Sequence, residues 1–103
     1  LAAADYLAIA GHTVTIFEQK PVAGGMMILC IPSYRLPRDA LKADIDRILS
    51  LGVELKLNAP VTDVDKLASE YDAVFVGIGT MKPKVLGIAG EDAKGVEQVV
   101  PFL

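Results

Sequence analysis

At 103 residues, with 52% hydrophobic and 22% charged residues, the chain has the size and composition of one small globular domain and not of a disordered segment. A net charge of −3, with Lys and Arg scattered along the chain, gives no basic face for nucleic acid. No apolar run approaches the ~20 residues of a membrane-spanning helix. With one cysteine, Cys30, there is no disulfide framework and no metal-ligand spacing, His12 is the lone histidine, and so low a cysteine count agrees with a reducing, cytoplasmic setting.

The chain opens on Leu1-Ala2-Ala3-Ala4-Asp5-Tyr6-Leu7-Ala8-Ile9-Ala10, rich in strong helix formers, and Gly11 supplies the stop. His12 falls in the turn that follows, as a solvated turn residue. Val14-Thr15-Ile16-Phe17 is β-branched and aromatic, which predicts a buried strand ending near Glu18. Pro21 and the pair Gly24-Gly25 mark a loop, and Met26–Leu29 is too short to assign. Pro32 and Pro37 hold the next segment extended or turned. From Arg38 the period becomes 3.6, with Leu41, Ile45, Ile48 and Leu49 on one helix face, until Gly52.

Val53-Glu54-Leu55-Lys56-Leu57 alternates apolar with charged, as a strand with one wet face does near a sheet edge. Thr62-Asp63-Val64-Asp65 fits a capping box opening a short helix through Glu70. Ala73-Val74-Phe75-Val76 reads as a strand buried on both faces, running into Gly77-Ile78-Gly79. The remainder, with Pro83, Gly87, Gly90, Gly95 and Pro101, reads as loop and connector. This order predicts an α/β fold with a mainly parallel sheet, beginning on a helix where a doubly wound fold begins on a strand.

Three places can carry chemistry. An acid closing the second strand of a dinucleotide-binding unit accepts hydrogen bonds from a ribose hydroxyl, about 20 residues after a glycine fingerprint. Glu18 fits, but the fingerprint would precede Leu1, and without it a solvated acid at a strand end is the favoured account of Glu18. Gly24-Gly25 could let backbone approach a phosphate or ribose, or could make a plain turn. Gly77-Ile78-Gly79 ends a strand where open α/β sheets bind ligands, with tight packing as the alternative.

Order and spacing say more than the parts. Val14–Glu18, Gly24-Gly25-Met26, Ile31-Pro32-Ser33-Tyr34-Arg35-Leu36-Pro37, Leu51-Gly52-Val53, Tyr71–Gly79 and Leu86-Gly87-Ile88-Ala89-Gly90-Glu91-Asp92 together resemble the glutamate synthase small-subunit family. The same string occurs in the FAD domain of dihydropyrimidine dehydrogenase and in related flavoproteins. The resemblance covers essentially the whole chain. It implies a Rossmann-like, doubly wound FAD- and NAD(P)-binding fold, here a partial FAD-binding domain over residues 1–103 that lacks its first strand and glycine-rich turn.

By position the resemblance assigns Glu18 to the adenosine ribose and Gln19 and Lys20 to the adenosine end. Gly24, Gly25 and Met26 would run along the cofactor between ribose and flavin. Arg35 would offer its guanidinium fork, Val61 would contact the adenine side by backbone, and Gly79 would close over the pyrophosphate. Leu29-Cys30 stand where the family has Tyr-Gly, and Ala89 where it has Pro. Cys30 is read as a small buried hydrophobe, with a reactive thiol near the flavin as the alternative. No catalytic acid or base and no metal ligand stands out.

The resemblance further implies an oxidoreductase in which NAD(P)H, bound by a domain absent from this chain, reduces FAD, and electrons leave to an iron–sulfur partner or a glutamate synthase large-subunit-like partner. A truncated, non-catalytic Rossmann-like module used for protein contacts is the competing reading. On the first, the natural protein extends beyond Leu1 by at least one central strand. Val14–Phe17 would flank that strand on one side and Ala73–Val76 on the other, with Val53–Leu57 beyond.

Overall fold

The computed structural model describes residues 1–103, which form five helices and two strands. Helix α1, Ala2–Ile9, ends where Gly11 adopts φ +92° and the Gly11 and His12 amides reach back to the Ala8 and Leu7 carbonyls. Only glycine takes such a backbone at no steric cost, so the chain can turn at once into β1, Thr15–Phe17.

A single turn, α2 (Met26–Leu29), precedes the long helix α3, Arg38–Ser50. Strand β2, Glu54–Lys56, then lies parallel to β1 in the register Thr15 with Glu54, Ile16 with Leu55 and Phe17 with Lys56. Glu54 N–H donating to the Val14 carbonyl and Glu18 N–H to the Lys56 carbonyl, both at 2.9 Å, carry the ladder from Val14 to Glu18, against the Glu54–Lys56 part of the expected Val53–Leu57. Parallel neighbours need a long crossover, and α2 and α3 are that crossover.

The core lies where α1, α3 and the strand pair meet. Ala4, Ile48 and Val53 are its buried members, packed by Leu1, Ala8, Val14, Ile16 and Leu49. The period-3.6 face behaves as expected: Leu41 and Ile48 are buried, and Ile45 and Leu49 are half-buried. Arg47 of α3 grips Asp5 of α1 through two hydrogen bonds of 3.0 and 2.8 Å, beside that core.

Four expectations need correction. Strand β1 is half-buried along its length and not buried, since β2 is its one neighbour in the sheet. Helix α4, Val64–Glu70, is capped by Asp63, whose carboxylate accepts the Lys66 amide at 3.0 Å, and not by Thr62. Aspartate reaches the third amide with a charged acceptor, and this moves the cap by one residue. Val99–Phe102 is a one-turn helix, α5, and not loop, because a proline in the first turn sacrifices no helical hydrogen bond.

The largest departure is Ala73–Val76, which is neither a strand nor buried. From Ala73 to Thr80 no backbone N–H finds a backbone acceptor, and Phe75 and Ile78 are 76% and 84% exposed. A strand exists only against a neighbour, and β1 pairs with β2 alone. The Phe75 ring folds back instead, and a Cβ on Gly77 would meet it at 2.9 Å. The molecule is accordingly long, 52 × 35 × 20 Å, with a radius of gyration of 16.9 Å. A closed domain of this length has about 13 Å. The fold is thus a small α/β unit with a two-stranded parallel sheet, compatible with a Rossmann-like fragment.

Candidate functional site

The carboxyl edge of the strand pair gathers the first group of candidates. Glu18 follows β1 directly, and its carbonyl accepts the Ala59 amide at 2.9 Å while the Lys20 carbonyl accepts the Asn58 amide at 3.1 Å. Two further residues bring the chain to Val61, so Glu18, Gln19, Lys20 and Val61 share one edge. Oε1 of Glu18 accepts the Lys20 amide at 2.8 Å, which fixes the side chain over its own turn and leaves Oε2 without a protein partner. Gln19, Lys20 and Val61 are exposed, and Glu18 is half-buried.

The second group lies on the loop around α2. Gly24 has φ +121° and Gly25 has φ +54° with ψ −130°, and Gly25 is the N-cap of α2. The two glycines differ in what surrounds them. A Cβ on Gly24 would press on Ile28 at 3.3 Å and Leu41 at 3.4 Å, whereas one on Gly25 would meet nothing within 4 Å. Gly24 seats the loop on α3, and Gly25 presents bare backbone to open space. Met26 beside it is exposed. Cys30 is buried, its thiol 3.5 Å from the Met26 sulfur, as a small core residue is.

Arg35 sits at the far end of this loop, in a turn closed by its own amide on the Pro32 carbonyl at 2.9 Å. Its guanidinium lies 5.9 Å from the Tyr34 ring centroid and pairs with no carboxylate. Between the two ends runs a residue the sequence reading passed over. Arg38 Nη1 donates to the Met27 carbonyl at 2.8 Å, and Nη2 to the Ile31 carbonyl at 2.9 Å. The available signal was a cation in the first turn of a helix, the end the dipole disfavours.

Gly79 stands apart. It has φ +68° and is exposed, on the segment that joins no ladder. Beyond it, Glu91 takes the Leu86 and Gly87 amides, each at 2.7 Å, and these hold its carboxyl below the ordinary carboxylate range. Concavities of about 410 and 340 Å³ lie in this terminal region, lined by residues such as Val85, Ile88, Glu91, Gln98 and Val99. They share no residue with the candidate set. No group of His, Cys, Asp and Glu is arranged to hold a metal, and no helix is long and apolar enough to cross a membrane.

A parallel α/β unit with candidate residues at the carboxyl edge of its sheet is thus what the residues build. No family model matches the chain. Among curated proteins, the NADP(+)-dependent formate dehydrogenase subunit beta of Moorella thermoacetica is 50% identical over 95 residues, covering 89% of this chain and 13% of the relative. The glutamate synthase (NADPH) small chain of Escherichia coli is 37% identical over 106 residues, covering 100% of this chain and 22% of the relative. The NADPH-Fe(3+) oxidoreductase subunit beta of Geobacter sulfurreducens is 40% identical over 97 residues, covering 89% and 14%.

Over its whole length the chain is thus similar, at 35–50% identity, to one stretch of the glutamate synthase small chain and of related NADP-dependent oxidoreductase beta subunits. It spans less than a quarter of the length of each of these three relatives.

Proposed function

We propose that this chain is the FAD-binding segment of an NADPH-dependent electron-transfer oxidoreductase. The observation that carries the reading is that relatives with different named activities share both this stretch and a dependence on NADP(H). What they hold in common is best explained as the electron-handling part. FAD, when bound, accepts a hydride from the nicotinamide and releases electrons one at a time.

The residues fit such a group. Glu18 keeps one carboxylate oxygen free at the carboxyl edge of the sheet for a ribose hydroxyl. Gln19, Lys20 and Val61 border the same edge as the adenosine side. Gly25, with Gly24 and Met26, offers backbone with open space above it, and Arg35 offers an unpaired guanidinium fork. Gly79 joins them only if its segment is drawn onto the sheet. The proposal therefore includes a further strand with its glycine-rich turn, seated between β1 and Ala73–Val76 to make the sheet doubly wound. A second domain holds NAD(P)H, and an iron–sulfur partner or glutamate synthase large-subunit-like partner takes the electrons.

The test is colour. The purified full-length protein carrying this segment is expected to show flavin absorbance that bleaches on anaerobic addition of NADPH. A colourless protein that takes up no FAD would reject the reading and favour a non-catalytic contact module.

A further inference from the structure

Arg38 begins α3, where a positive charge opposes the helix dipole. Its guanidinium is spent elsewhere, on the preceding loop. One arm meets the Met27 carbonyl, among those that the short helix α2 leaves unpaired at its C-terminal end, and the other meets the Ile31 carbonyl beyond that end. A planar fork can serve two carbonyls at once, which a single ammonium does less well.

This fork carries the hydrogen bonding between the loop and α3. Every backbone bond within the loop is local: Cys30 and Ile31 amides return to the Met26 carbonyl, and Arg35 and Leu36 amides to the Pro32 carbonyl. Gly24-Gly25-Met26 enters on one side of the fork, and the Pro32 turn bearing Arg35 leaves on the other. The two carbonyls that Arg38 holds thus lie between these two candidate contacts along the chain.

We propose that Arg38 is a positioning residue, which fixes Gly25 and Arg35 relative to one another without itself touching the cofactor. The inference rests on the FAD reading above. Both guanidinium bonds are charge-assisted but solvent-exposed, so their loss should act on geometry more than on folding.

The experiment uses the full-length protein with Arg38→Ala and Arg38→Lys. It measures the FAD dissociation constant, the visible circular dichroism of bound flavin and the thermal midpoint of the apoprotein. The expected result is a weakening of about tenfold for Arg38→Ala and about threefold for Arg38→Lys, with altered flavin dichroism in the former and a near-native midpoint in the latter. A purely structural role would lower the midpoint while leaving affinity and dichroism of the folded protein unchanged, and that result overturns the inference. Should Arg38→Ala fail to fold, Arg38→Lys decides: parental affinity in it also overturns the inference. A parent that binds no FAD overturns the proposed function and this inference together, whereas a flavin-bound parent with unaffected variants overturns this inference alone.

Discussion

At the scale of single residues, two arginines divide the labour of the molecule. Arg35 is exposed and has no carboxylate partner, so its replacement removes no internal ion pair. In the full-length protein Arg35→Ala should weaken FAD binding about ten- to hundredfold, read by flavin retention through dialysis, with Arg35→Lys recovering only part. Unchanged retention would reject its role. Arg47 instead holds Asp5, and the hydrogen bond from its guanidinium keeps the Asp5 carboxyl below its ordinary value of 3.8. A group depressed in the folded state adds stability above its unfolded pKa and loses it as pH falls through the folded one. Asp5→Asn should therefore lower the urea midpoint at pH 7, and the gap to the parent should close as pH drops well below 3.8. A gap that persists at low pH would mean the pair acts through packing. The candidate residues came from the order of several motifs taken together, since Glu18, Gly24-Gly25 and Gly79 each have a plain structural explanation when taken singly. Arg38 offered only the weak signal of a cation in the first turn of a helix, because its partners are two backbone carbonyls, whose positions side-chain identity does not reveal.

At the scale of elements, the strongly periodic pieces were readable and the context-dependent ones were not. Helix α3 shows its buried face in Leu41 and Ile48, and β2 shows its wet one in Glu54 and Lys56, because both patterns are written in side-chain polarity. The cap of α4 depended on whether Thr62 or Asp63 reaches an amide, a matter of one residue of geometry. In the loop at α2 the two glycines should separate on substitution. Gly24→Ala combines a glycine-only backbone with contacts at Ile28 and Leu41, and should cost about 1–3 kcal/mol in chemical denaturation. Gly25→Ala carries a positive-φ strain of its own but meets open space, so it should destabilise less than Gly24→Ala and also lower flavin affinity. Equal losses of stability with unchanged affinity would show that Gly25 is only a turn.

At the scale of the whole molecule, 43 backbone–backbone hydrogen bonds serve 103 residues, where a closed domain of this length has about 70. The shortfall is concentrated after α4, in the stretch that contains Ala73–Val76. Its apolar run reads as a buried strand, yet pairing is a property of two segments, and a single segment cannot announce that its neighbour is elsewhere. Direct pairing of Val14–Phe17 with Ala73–Val76 does not occur. In the 103-residue chain the Val74, Phe75 and Val76 amides should therefore exchange at the rate of an unstructured peptide, while the Glu18 and Glu54 amides exchange slowly. In the full-length protein the same three should become protected, by the strand proposed to sit between β1 and this segment. Protection of Val74–Val76 in the 103-residue chain would remove the reason for proposing that strand.

The parallel register of β1 and β2 also has a consequence in time. Thr15 pairs with Glu54, 39 positions later, so closing the sheet means closing a loop of that size before a single ladder bond forms. At ordinary rates of protein synthesis that interval is about 2–8 s. Helix α1, whose bonds are all local, can form in about a microsecond and must wait for its sheet. During that wait β1 emerges with the edge that β2 will take still bare. The order of synthesis thus leaves that edge of β1 in need of a chaperone's cover until β2 arrives to claim it.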